Sequence, residues 1–173
     1  MDFDLSDEQS MIRDSVERLI QDRYGFEQRG RYRAEELGFS PAMWSAFAEL
    51  GLTAVPFAED DGGFGGGPVE TMIVTEAFGR GLVVEPYLAS VVMAGGAIRH
   101  AGSAAQRAAW VPGLADGSTR LAFAFAERTM RYDPAAAAMA ATPSGDGYTL
   151  SGEKSLVLHG DSADGFVVLA RTG

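Results

Sequence analysis

The spacing of apolar residues changes period near residue 120, from helical before it to alternating after it. Ser6 and Gln9 carry the pattern of a capping box, in which each side chain satisfies a backbone N–H that the first helical turn leaves free. Ile12, Val16, Leu19 and Ile20 follow at helical spacing, so a helix with one core-facing stripe is predicted. Ser40-Pro41 is a second start signal, a capping hydroxyl followed by a ring already fixed at a helical φ. Trp44, Phe47 and Leu50 form the predicted buried face, and Gly51 stops that helix. Pro68 opens a third, with Val69, Met72, Ile73 and Ala77 on one side. Residues 88–98 are apolar nearly all round, as expected of a helix buried on several sides. Ser103 and Gln106 repeat the capping box ahead of a helix expected to turn Trp110 inward, and Ala115-Asp116-Gly117 closes the helical part.

From Arg120 onward, Leu121-Ala122-Phe123-Ala124-Phe125-Ala126 alternates large and small residues, which puts its aromatics on one face of a strand. Residues 135–141 are ambiguous: the alanine run favours helix, while its brevity and position favour an extended segment. Ser144-Gly145-Asp146-Gly147 reads as a hairpin turn, with Tyr148-Thr149-Leu150 and then Leu156-Val157-Leu158 as the returning strand. Residues 166–169 form another β run. The predicted class is α+β: an all-helical N-terminal domain over residues 1–118, then an incomplete antiparallel β domain over residues 119–173. Nothing follows the last strand to cover the sheet, and open apolar edges are normally paired or shielded. The expectation is a front portion of something larger, or a chain that leans on a partner.

Composition removes several classes of function. The 173 residues include no cysteine, which excludes disulfide scaffolds, zinc fingers, iron–sulfur sites and thiol nucleophiles. Fourteen Lys and Arg against 24 Asp and Glu give a net charge of −10, so a phosphate polymer is repelled and nucleic-acid binding is not expected. Met1-Asp2-Phe3-Asp4 lacks the basic and apolar regions of a signal peptide, and Glu85-Pro86 interrupts the most apolar stretch. A soluble, cytoplasmic protein without a membrane span is expected.

Few residues announce chemistry on their own. Arg29-Gly30-Arg31-Tyr32-Arg33 could grip a phosphate, but reads better as a solvated face pairing with Glu35 and Glu36. The glycine-rich run from Gly62 to Gly67 fits neither a dinucleotide fingerprint nor a P-loop, and Glu59, Asp60 and Asp61 would repel an anion. It is read as a turn between helices. His100 and His159 lie in unrelated segments, so no metal site is expected, and no acid–base pair stands out among the scattered carboxylates.

Taken in order, the segments resemble the front half of the FAD-dependent acyl-CoA dehydrogenase family. Asp4-Leu5-Ser6-Asp7-Glu8-Gln9 is similar to that family's first helix. Glu49-Leu50-Gly51-Leu52-Thr53-Ala54-Val55-Pro56 with Asp61-Gly62-Gly63-Phe64-Gly65 resembles its glycine turn between helices. Thr75-Glu76-Ala77-Phe78-Gly79-Arg80 and Pro112-Gly113-Leu114-Ala115-Asp116-Gly117 match the next landmarks, and Tyr148-Thr149-Leu150-Ser151-Gly152-Glu153-Lys154 resembles the hairpin of the central β domain. The resemblance implies a helical domain, a β domain and a C-terminal helical bundle that this sequence does not contain. It implies removal of an α-proton from an acyl-CoA by a glutamate, with a hydride passing to FAD. That glutamate belongs to the C-terminal part, so no catalytic residue is assigned here and these 173 residues alone are expected to be inactive.

Departures from the family pattern set the rest of the expectation. By resemblance, the flavin would lie against Phe125, Ala126, Glu127, Tyr132, Leu156 and Leu158. Ala126 stands where the family usually has a threonine hydroxyl, Arg131-Tyr132 replaces a glycine–serine pair, and Leu156-Val157-Leu158 replaces Trp-Ile-Thr. Each lost polar contact costs about 1 kcal/mol, which points either to a degenerate flavin site, the leading reading, or to variation within a working site whose backbone N–H groups still bind the ring. Arg128 and Arg131 either hold an adenylate or CoA phosphate or pair with Glu127 or Asp133. Tyr87, Leu88 and Val91 either line an acyl channel or are plain core. The leading reading is the partner subunit of a heteromeric acyl-CoA dehydrogenase, similar to small subunits of the pimeloyl-CoA type. A second dehydrogenase subunit, an acyl-CoA of fatty or dicarboxylic acid degradation and an electron-transfer flavoprotein would be its partners. A self-sufficient homotetramer and a non-catalytic scaffold are the alternatives.

Overall fold

The computed structural model describes residues 4–131 and 133–172. Six α-helices occupy the first part: α1 (Asp7–Arg23), α2 (Phe26–Arg33), α3 (Pro41–Glu49), α4 (Pro68–Gly81), α5 (Gly95–Ala101) and α6 (Ala104–Ala115). A π-helix over Tyr87–Ala94 runs directly into α5. Both capping boxes form: Ser6 Oγ accepts from the Gln9 N–H at 3.2 Å while Gln9 Oε1 accepts from the Ser6 N–H at 3.0 Å, and Ser103 and Gln106 do the same. Gly51, at φ 72°, ends α3 with its N–H on Ala48 and the Leu52 N–H on Phe47, a left-handed closure open to glycine at little cost.

Phe39, Phe47, Phe57, Val74, Tyr87 and Val91 anchor one core, with Phe47 and Phe78 stacked at 4.5 Å and Phe78 edge-on to Tyr87 at 5.1 Å. Around that core several predicted faces rotate. Leu50, Val69, Met72 and Trp110 are exposed, and α4 instead buries Ile73, Val74, Ala77 and Phe78. The basic run 29–33 is not a connector but the second half of α2, where Arg29 Nε donates to the Leu82 carbonyl at 2.7 Å; no ion pair from it to Glu35 or Glu36 forms among the described residues. The Ser40 hydroxyl does not cap α3. Its backbone N–H donates instead to buried Glu85.

Four short strands follow: β1 (Leu121–Ala124), β2 (Ala140–Ser144), β3 (Gly147–Ser151) and β4 (Gly165–Val168). β2 and β3 form the expected antiparallel hairpin, but β1 pairs with β4 in parallel, Leu121 opposite Gly165. Arg120 enforces that register. Its N–H and guanidinium both donate to the Asp164 carboxylate, at 2.8 and 2.9 Å, while its carbonyl accepts the Asp164 N–H. The ambiguous stretch resolves into a 3-10 turn at Pro134–Ala136, capped by Asp133, followed by β2. Residues 156–158 are not a strand: Leu156 sits at φ 53°, which breaks extended backbone.

Ser90 joins the two parts. Its hydroxyl, buried in the π-helix, accepts the Leu121 N–H at 3.0 Å. No helix among the described residues is long and apolar enough to cross a membrane.

Candidate functional site

An open pocket of about 720 Å³ gathers Met93, Phe123, Phe125, Ala126, Glu127, Arg128, Arg131, Ser155, Leu156 and Leu158. Two walls make it. One is the chain leaving β1, where the alternation of that strand puts Phe123 and Phe125 on one face with ring centroids 5.2 Å apart. The other is the segment after β3, joined to the first by the Ser155 N–H donating to the Ala126 carbonyl at 2.9 Å. The π-helix contributes Met93 from below.

Glu127 is the most heavily hydrogen-bonded side chain of the site, and these bonds all lie within the chain. The carboxylate accepts from the N–H groups of Ala138 at 2.7 Å and Met139 at 3.0 Å, and from Lys154 Nζ at 2.7 Å. Lys154 Nζ also donates to the Phe125 carbonyl at 3.1 Å. Side-chain exposures of 5% for Lys154 and 6% for Glu127 make this a buried ion pair, with three donors on the carboxylate and two acceptors on the ammonium. The Lys154 hydrogen bond, then the two backbone N–H groups, push the Glu127 carboxyl down to about 2.

The remaining positions divide. Arg128 reaches neither Glu127 nor Asp133; it lies 3.9 Å from Glu153 with both side chains well exposed, and Arg131 makes no ion pair among the described residues. Arg128 and Arg131 line the pocket together with Glu127, Ser155 and a majority of apolar residues. Leu156 is 90% exposed, and Arg131 and Leu156, both lining the pocket, each adopt φ 53°, as does His159 one residue beyond Leu158. The Ala126 N–H donates no hydrogen bond within the described chain. Tyr132 lies outside the described residues. Tyr87, Leu88 and Val91 do not join this pocket. Tyr87 is core, its hydroxyl on the Leu52 carbonyl at 3.2 Å with burial raising its pKa; Val91 is core; and Leu88, half exposed, lines a separate groove of about 340 Å³ with Tyr87.

Met93, Phe123, Ser155 and Lys154 were not singled out from sequence. Lys154 had a signal, since it closes the hairpin motif Ser151-Gly152-Glu153-Lys154, but nothing in the linear order pairs it with Glu127. The two histidines lie apart: His100 rests against the Arg99 guanidinium, and His159, its pKa lowered by burial, lies edge-on to Phe39 at 6.0 Å. No group of metal-ligating side chains occurs among the described residues.

Residues 6–118 match the acyl-CoA dehydrogenase N-terminal domain. The chain is 30% identical over 169 residues to (2S)-methylsuccinyl-CoA dehydrogenase of Cereibacter sphaeroides, covering 97% of itself and 31% of that protein. Its fold superposes on the ChsE4–ChsE5 complex from Mycobacterium tuberculosis with a TM-score of 0.88 at 28% identity, covering 99% of this chain and 46% of that one. It also superposes on an acyl-CoA dehydrogenase complexed with FAD from Bacillus anthracis, with a TM-score of 0.85 at 27% identity, covering 98% and 29%. The chain therefore belongs to the acyl-CoA dehydrogenase family, and it spans about a third to a half of the length of these relatives.

Proposed function

We propose that this chain is the partner subunit of a heteromeric, FAD-linked acyl-CoA dehydrogenase of the cytoplasm, with a weakened flavin site of its own. The observation that carries the reading is the composition of the 720 Å³ pocket. Phe123, Phe125, Ala126, Leu156 and Leu158 offer a flat apolar ring a wall, and Arg128 and Arg131 offer a diphosphate two cations. The same wall gives the polar edge of a flavin little side-chain hydrogen bonding: Glu127 is already matched, and Ala126 and Leu158 carry no polar atom. The pocket fits the body and phosphates of FAD while leaving the ring's edge to backbone groups or to a companion chain. The likeness to a structure that is itself a ChsE4–ChsE5 complex supports a heteromeric assembly.

Bound FAD supplies a hydride acceptor. The residues of this chain orient the ring and exclude water from one side of it. An acyl-CoA, of fatty or dicarboxylic acid degradation, is the substrate class, and the proton-abstracting glutamate comes from outside these residues. An electron-transfer flavoprotein re-oxidises the assembly.

The uncommitted Ala126 N–H favours a second reading, a self-sufficient homo-oligomer in which backbone donors alone hold the ring. Expressing the chain alone and with a companion dehydrogenase subunit, and recording the visible flavin absorption and acyl-CoA turnover of each, separates the two. Flavin only on co-expression supports the heteromer; flavin and turnover from the single chain support the homo-oligomer. Flavin in neither case supports a scaffold and overturns both.

A further inference from the structure

We infer that Glu127 and Lys154 are positioning residues that fix the distance between the two walls of the pocket, and through it the affinity for the flavin; this rests on the flavin reading above. Lys154 bonds two atoms of the first wall, the Phe125 carbonyl at 3.1 Å and the Glu127 carboxylate at 2.7 Å. The next residue, Ser155, bonds the Ala126 carbonyl at 2.9 Å. Three consecutive residues of the first wall are thereby fastened to two consecutive residues of the second. Glu127 extends the link to a third segment through the Ala138 and Met139 N–H groups, which lead into β2.

Beside these bonds, the second wall is held from its far end, where His159 lies edge-on to the core residue Phe39. β3 is exposed at every residue and residues 156–158 belong to no strand, so sheet pairing does not fix where Leu156 and Leu158 stand relative to Ala126. The pair is buried and its other bonds stay inside the chain, so removing the ammonium strands a buried carboxylate rather than exposing a surface charge. Neither residue needs to touch the ligand. A wall set back by an ångström loses ring contact, because dispersion falls off steeply with a gap of that size.

The test compares wild type, Lys154→Met and Lys154→Arg as full chains, alone and with a companion subunit. It reads the FAD Kd from quenching of flavin fluorescence in the cold and deuterium uptake across residues 121–131 and 154–160. In Lys154→Met we expect a Kd raised tenfold or more and faster exchange in both wall peptides, with exchange in α1 and α4 unchanged. Lys154→Arg, which keeps the charge and donors, brings the Kd back to within about threefold of wild type. Should Lys154→Met fail to fold, Glu127→Gln keeps the shape and removes the charge, and a raised Kd with the thermal midpoint preserved supports the inference equally. Looser walls with an unchanged Kd in these variants overturn it, leaving the pair a hairpin staple. Wild type that takes up no FAD in either form sinks the flavin reading itself and this inference with it.

Discussion

The helical part and the β part are stabilised by different physics. In the first, side chains such as Phe47, Val74 and Val111 are wholly removed from water and the helix ends are closed by reciprocal caps. In the second, β2 buries a single residue and β3 none, and the hairpin is tied down by one buried ion pair and by backbone bonds between Arg171 and residues 139 and 141. Burial is non-directional and tolerates exchange among apolar residues, whereas a hydrogen-bonded ion pair works at one geometry only. The same contrast divides the site: Met93 on the π-helix and Phe123, packed against the helical core, belong to the first kind of structure, while the walls at 125–127 and 154–155 are joined by the second.

The sharpest way to break this contrast is in the core. Phe47→Ala removes a fully buried ring from its stack on Phe78 and is expected to cost about 3–5 kcal/mol, seen as a lowered urea midpoint of the helical part. Leu156→Gly should act in the opposite direction, stabilising by about 1 kcal/mol because glycine relaxes a left-handed backbone that leucine strains, while removing an apolar group from the pocket wall. A loss of stability there would show that the exposed leucine packs against something. Ser103→Ala should cost about 1 kcal/mol through the lost cap of α6, measurable by the same denaturation and absent from exchange at the hairpin.

The smallest expected effect is a difference in sign with pH. Burial holds the Glu85 carboxyl above its ordinary value of 4.5, despite hydrogen bonds from Tyr24 at 2.6 Å and the Ser40 N–H at 3.2 Å. Between 4.5 and that raised value the folded state binds more protons than the unfolded one, so the helical part gains stability as pH falls through the window. Glu85→Gln should flatten that slope in denaturation midpoints. Glu127 is shifted the other way: its contribution is complete above 4.5 and is lost as pH falls through about 2, which exchange at the Ala138 and Met139 amides would follow.

The helices were legible because caps and period are local. Ser6, Gln9, Ser103, Gln106, Pro68 and Gly51 act within a turn of themselves, and all stand where the sequence places them. Which face of a helix is buried is a tertiary matter, and there Trp110, Met72 and Leu50 mislead. The Ser40 hydroxyl misleads for a related reason, since Glu85, 45 residues away, takes the role of organising that helix start. Parallel pairing of β1 with β4 across some 40 residues has no local signature. Of the site, the segments 125–128 and 156–158 were identified by resemblance and meet in one pocket, while the Glu127–Lys154 link that joins them is 27 residues long in sequence and invisible in either segment alone.

The π-helix over Tyr87–Ala94 gives the molecule a phase setting. A π turn accommodates an extra residue relative to an α turn. Deleting one residue there to make ordinary helix would change the angles between side chains along the stretch, because an α-helix turns about 100° per residue and a π turn less. Ser90 and Met93, on the same stretch, hold opposite ends of the junction: one meets the first residue of β1, the other the floor of the pocket. Such a deletion would leave composition and hydrophobicity almost untouched, yet it would unhook the strand from the helices and turn the pocket's floor away.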